Sequence, residues 1–266
     1  MKKIFPIAVF SLFFLTNAVG ASAFDFALSQ SDLRCIGDKV FQNECSGKTE
    51  KLVFWDVREP FPSLGIGHFI WYPENFKGRF HESFPDLVRF LKNKGTVIPE
   101  WLWNDGKIKF HWNSREEFLA DNNSPKMLEF KRLLENTMDL QTLFMLERLK
   151  RFESKIFIFP FKSMAHERFK KLASTTRGVY VLMDYLNFKG SGLDGSEKYK
   201  GHGWGLKQVL EEMDEEAFQK SPLEEFSRTA IKVLERRVMN STSEDKEYLR
   251  LIGWKNRILS YSKFNC

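Results

Sequence analysis

Patterns that would hold a metal are missing from this chain. Its three cysteines, Cys35, Cys45 and Cys266, contain no Cys-x-x-Cys pair, and its five histidines contain no His-x-x-x-His. Neither zinc nor any other cofactor is therefore expected. No Gly-x-Ser-x-Gly occurs, which removes the nucleophile elbow of serine hydrolases. Lysine and arginine form no long block, so a dedicated nucleic-acid groove is not expected despite the formal charge of +6. A mildly basic surface of this kind suits an anionic cell-wall polymer. Linkers rich in proline, glycine or serine are also missing, and no internal repeat or disordered composition is visible, as in one large domain.

The one long apolar run lies at the start. Lys2 and Lys3 precede an apolar stretch from Ile4 to Leu15, and Ala21-Ser-Ala23 fits a small-residue cleavage site. Residues 1–23 read as a signal peptide, leaving 24–266 as a domain expected in the periplasm or outside the cell. The apolar stretch is shorter than the roughly 20 residues a bilayer needs. No later segment is apolar enough to span one, so no membrane span is expected after cleavage.

An exported chain can form disulfides. On one continuous helix Cys35 and Cys45 stand about 15 Å apart, beyond the reach of a bridge. Either one of them fastens the C-terminus through Cys266 or all three remain thiols.

What is abundant is aromatic: 15% of residues, read chiefly as core material. Apolar spacing predicts a helix over Ser31 to Gly47 and further helices opening at Ser83, Ser114 and Ser124-Pro125, the last breaking near Asn136 and resuming through Arg151. More are expected over Ser163 to Leu172, Gly178 to Leu186, Trp204 to Met213, Ser221 to Met239 and Lys246 to Tyr261. Ser114-Arg-Glu-Glu117 and Ser221-Pro-Leu-Glu224 both spell capping boxes. Leu52 to Trp55 and Leu64 to Tyr72 read as a β-hairpin, with short strands also possible at Lys107 to Trp112 and Lys155 to Phe161. The class is α+β, mainly helical, with a β wing at about 50–73 beside a helical lobe at about 82–262 and a cleft between them.

Glu44 stands out within this pattern. Leu33, Ile36, Val40 and Phe41 recur at helical spacing, and the next position on that stripe is Glu44. Its carboxyl is thus aimed at the core. Apolar burial disfavours the charged form, which makes such a group a candidate general acid for breaking a glycosidic bond. Alone, a carboxylate at a helix end is more often a structural partner of an amide or an arginine.

Glu44 at a helix end, Ser63 and then Gly65-Ile-Gly-His68 resemble the catalytic strip of phage-type lysozymes, which carry Glu, a second acid, Thr and Gly-x-Gly-His in that order. The resemblance covers about Asp32 to Tyr72. Weaker likenesses follow at Val179 to Gly192, a helix ending in a glycine, and at Gly253 to Tyr261, which is similar to a late arginine-bearing helix. Ser63 to Pro73 also resembles a segment of a group of exported bacterial proteins of unassigned activity.

The resemblance implies a lysozyme-like fold and cleavage of peptidoglycan or a related amino-sugar polymer, with Glu44 as acid. In the family an acid precedes the Thr by six positions; here that position is Val57. Asp56 and Glu59 flank it, and Glu59 is favoured because the turn Glu59-Pro-Phe-Pro62 holds it near Ser63. Ser63 keeps the hydroxyl of the family's Thr and is expected to orient water. His68 is read as a hydrogen-bonding residue joining hairpin to helix, and Gly65 and Gly67 as allowing a tight turn and a close sugar. Without a second acid the chain is expected to act as a lytic transglycosylase, or else to bind glycan without turnover.

Tyr72, Asn187, Trp204 and Gln208 complete the expected substrate contacts, the last two because Trp204-Gly-Leu-Lys-Gln208 is similar to a cleft-lining step of some transglycosylases. Packing is the alternative role for Trp204. Gly190-Ser-Gly-Leu-Asp-Gly195 spells a dinucleotide fingerprint, but it follows a helical pattern rather than a strand and is rejected.

Overall fold

The computed structural model describes residues 24–74, 76–156, 163–242 and 246–266. The signal-peptide reading, on residues 1–23, lies outside them. The described chain is mainly helical with small antiparallel sheets. None of its helices is long and apolar enough to cross a membrane.

Helix α1 (Gln30–Cys45) opens on a reciprocal cap: Ser29 Oγ accepts from Asp32 N at 3.1 Å, and Asp32 returns a carboxylate to Ser29 N at 2.9 Å. It closes on Ser46 in the left-handed region at φ 55°. Ile36 and Val40 of its stripe are fully buried. A 3-10 turn (Thr49–Leu52) then leads into a three-stranded sheet of β1 (Val53–Phe54), β2 (Ser63–Leu64) and β3 (Phe69–Ile70). Leu64 pairs with both Val53 and Phe69, and Ser63 with Phe54 and Ile70, so Ser63 sits on the central strand. The expected hairpin is thus a sheet of three strands.

Next come α2 (Phe84–Asn93), the separate hairpin β4 (Trp103–Asn104) and β5 (Lys107–Ile108), and α3 (Arg115–Ala120). Lys107–Ile108 therefore pairs outside the wing. The break read near Asn136 separates α4 (Pro125–Glu135) from α5 (Met138–Ile156). The strand reading at Lys155 to Phe161 is corrected at its start, where Lys155 and Ile156 finish α5; 157–161 lie outside the described residues.

The chain continues through α6 (Met164–Ala173), α7 (Thr176–Lys189), the hairpin β6 (Lys198–Tyr199) and β7 (His202–Gly203), α8 (Leu206–Glu212), α9 (Glu215–Lys220), α10 (Pro222–Asn240) and α11 (Leu251–Leu259). Ser221 makes no side-chain cap on α10, contrary to its capping-box spelling. Glu225 instead accepts from Asp214 N at 2.7 Å, stitching α10 to the start of α9.

Aromatic side chains supply much of the core. Trp71 stacks on Phe84 at 5.2 Å and meets Phe110 at 4.8 Å, while Trp101, Trp112 and Phe118 extend the cluster. A fully buried Trp or Phe contributes about 3 kcal/mol or more against truncation. The chain end is fastened by a disulfide between Cys35 and Cys266, with Cα atoms 5.7 Å apart, whereas Cys45 is a buried thiol.

Candidate functional site

A groove of about 350 Å³ opens between the β wing, the C-terminal end of α7 and the N-terminal half of α11. Glu44, Glu59, Ser63, Gly67, His68, Asn187 and Trp204 all line it. Asp56, Gly65, Tyr72 and Gln208 do not.

Three helices hold the β2–β3 turn at the groove's edge. Gly65 adopts φ 69°, and a Cβ there would collide with Gln141 Oε1, so the backbone can lie against α5 only as glycine. Gln141, fully buried, accepts from Ile66 N at 2.8 Å and donates to Leu134 O at 2.7 Å. From α7, Asn187 donates to Gly67 O at 2.8 Å. From α1, Glu44 meets His68, which adopts a left-handed φ of 48°.

Glu44 does not stand in oily surroundings. Its Oε1 accepts from Arg257 Nη2 at 2.7 Å, and its Oε2 lies 3.3 Å from His68 Nδ1. The apolar stripe read correctly which way the residue faces, but a cation from α11 fills the space opposite. The side chain retains 12% exposure, toward the groove.

Arg257 is positioned by Asp184, a fully buried carboxylate in the apolar run of α7. Asp184 takes Arg257 Nε at 2.9 Å and Nη2 at 2.7 Å, and also accepts from Tyr261 Oη at 2.7 Å. Burial opposes the charge on Arg257, but Asp184 and then Glu44 hold it well above the usual guanidinium range. Burial and then Asp184 push the Tyr261 phenol well up. The same Nη2 also donates to Glu44, so two carboxylates share one cation.

His68 is pulled below the ordinary imidazole range by burial, against the opposing pull of Glu44. Its Nε2 lies 3.7 Å from Cys45 Sγ. Burial, and then Glu44, push that thiol up to about 12, so it is not an activated nucleophile.

Glu59 lines the groove and pairs with Arg250 at 2.6 Å. Asp56 is chelated instead by Arg58, through Nε at 2.8 Å and Nη2 at 2.9 Å, and those bonds hold it well below the usual carboxylate range. Ser63 Oγ makes no hydrogen bond among the described residues, which leaves it open to a groove ligand.

The remaining expected contacts have structural partners. Tyr72 is buried against Phe61, and its hydroxyl accepts from Phe80 N at 3.0 Å. Gln208 accepts from Gly205 N at 3.0 Å and donates to Gly192 O at 3.1 Å. Trp204 is almost wholly buried beneath Arg237, 4.0 Å from its ring centre. Asn187 is spent on Gly67 and on Arg148, whose Nη1 donates to it at 3.0 Å.

The rejected dinucleotide fingerprint has a physical explanation. Gly190 and Gly192 both have positive φ, and the amides of Ser191 and Gly192 point at a carboxylate of the same chain, Glu197, rather than at an open phosphate site. Burial raises Glu197 despite those bonds. Among the described residues no group of three or more His, Cys, Asp or Glu is arranged to hold a metal ion.

Sequence reasoning did not find Asp184, Arg148, Lys189 or Arg250. Only Asp184 carried a signal, as a lone acid in the run Val179 to Leu186. Comparison with family models, curated proteins and solved structures gives no match.

Proposed function

We propose that this chain is an exported, lysozyme-like enzyme that cleaves peptidoglycan or a related amino-sugar polymer, with Glu44 as the general acid. The observation that carries this reading is the Glu44–Arg257–Asp184 cluster facing a groove shared with Ser63, His68 and Glu59. Two carboxylates, Glu44 and Asp184, share the one guanidinium of Arg257. Asp184 is fully buried and saturated with donors. Glu44 is the member that faces the groove, and it delivers the proton to the glycosidic oxygen.

Two completions of the reaction fit the groove. In a hydrolase, Glu59 steadies the oxocarbenium-like transition state and Ser63 orients water. In a lytic transglycosylase, Glu44 acts as acid and then as base while the sugar's own hydroxyl closes an anhydro ring. The disulfide joining Cys35 to Cys266 supports an oxidising, exported location.

A second reading, glycan binding without turnover, is favoured by one observation: the two groove acids proposed to act in the reaction are both ion-paired, Glu44 with Arg257 and Glu59 with Arg250. Incubating the mature protein with purified sacculi and weighing released fragments separates the three. Hydrolysis gives reducing ends, transglycosylation gives anhydro ends one water lighter, and release of nothing supports binding alone.

A further inference from the structure

Among the described residues, two basic side chains of the groove have no acid of their own. Lys189, the last residue of α7, is 7% exposed and lines the groove. Its Nζ lies 3.2 Å from the ring centre of Trp254 and 4.0 Å from that of Phe188. It makes no hydrogen bond and no ion pair among the described residues. Among the described residues Arg148, from α5, donates only to the amide oxygen of Asn187, at 3.0 Å, and has no carboxylate partner.

The other two lysine or arginine side chains that line the groove are matched. Arg237 pairs with Glu247 and Arg250 with Glu59. The surroundings oppose the charge on both exceptions. Burial, then Arg237, pulls Lys189 well below the usual amine range, with Arg257 and Arg250 acting the same way and Glu247 against. Burial, then Arg151, pulls Arg148 to about 10, with Asp86 and Glu197 against.

A buried ammonium on aromatic rings without a counter-charge weakens a fold, since an apolar side chain of similar length would pack there at less cost. Such a group makes physical sense where a ligand brings the missing charge. Phe188 connects this end of the groove to the acid: its ring carries Lys189 Nζ at 4.0 Å and the Arg257 guanidinium at 4.2 Å.

We propose that Lys189 and Arg148 form an anion-binding subsite that takes a carboxylate carried on the sugar chain, so that the groove selects acidic over neutral amino-sugar polymers. The proposal rests on the glycan reading above and adds to it which residues read the substrate and which chemical group they read. A carboxylate arriving there supplies the counter-charge that Lys189 lacks, and the planar guanidinium of Arg148 offers a second, fork-shaped donor.

The test is calorimetric titration of the full-length, disulfide-bonded protein in a Glu44→Gln background, which prevents turnover. One probe is a tetrasaccharide of alternating N-acetylglucosamine and N-acetylmuramic acid; the other is tetra-N-acetylchitotetraose, which has no carboxylate. The acidic probe is expected to bind at least about tenfold more tightly at low salt, about 1.4 kcal/mol. Lys189→Met and Arg148→Gln, each shown folded by circular dichroism, are expected to bring that ratio toward one while leaving chitotetraose binding unchanged. Equal binding of both probes overturns the subsite and leaves the glycan reading standing. A ratio that survives in both variants also overturns it, because the carboxylate is then read elsewhere. Binding of neither sugar sinks the glycan reading and the subsite with it.

Discussion

Glu44 and Arg257 are bonded at 2.7 Å although 213 residues separate them. One comes from the end of α1 and the other from α11, and Asp184 of α7 fixes the angle at which they meet. The charge arrangement at the groove is thus a product of three helices packing, and four expectations follow from it and from its neighbours.

Removing the shared cation should be costly. Arg257→Met leaves Asp184 buried without its partner and is expected to lower unfolding free energy by about 3–5 kcal/mol in urea titration. Arg257→Lys keeps the charge but cannot make both contacts to Asp184 and should recover only part of the loss. A loss below about 1 kcal/mol for the methionine variant would show that the cluster contributes little.

Acid sensitivity should trace in part to His68. Its proton affinity is lower in the folded protein than the ordinary imidazole value of 6.5, so the unfolded chain takes up the proton first as pH falls. The stability it contributes is full above pH 6.5 and is lost as pH falls through the folded value. The difference in stability between wild type and His68→Gln should therefore shrink from pH 7.5 toward pH 5. Growth of that difference in acid would mean that a charged His68 paired with Glu44 dominates instead.

Lys189→Met should stabilise the protein. The unfolded chain carries a charged lysine at neutral pH, and folding transfers it to a site that opposes the charge. Recovering roughly 1–3 kcal/mol would raise the melting temperature by about 2–4 °C for each. A melting temperature that falls would assign Lys189 to holding α7 against Trp254.

Reduction should loosen the C-terminus. The disulfide from Cys35 to Cys266 closes nearly the whole described chain, a separation of 231 residues. Cys35→Ser with Cys266→Ser is expected to cost on the order of 2–5 kcal/mol, read by denaturant midpoint under oxidising conditions. Unchanged midpoints in oxidised wild type and the double variant would contradict this.

How far these features could be read in advance differs residue by residue. The α1 stripe was legible because helical periodicity depends only on the residues that carry it, and Ile36 and Val40 are buried as that spacing requires. Gly65 announced its turn because few other residues tolerate its φ of 69°. What stands opposite Glu44 was not legible, since periodicity gives a direction and not a partner. Lys189 gave no sign either: a lysine before glycine at a helix end is ordinary C-terminal chemistry, and only packing on Trp254 makes it unusual. The start of the strand expected at Lys155 was lost because α5 runs on through Ile156, its apolar face covered by neighbouring helices.

Glu44 is the centre of the account, and one comparison tests it most directly. Initial rates of fragment release from sacculi are measured for the mature wild-type protein and for Glu44→Gln, with both shown to be equally folded. Loss of the carboxyl proton is expected to slow release by about a hundredfold or more. Equal rates in the two proteins would contradict the assignment of Glu44 as the acid.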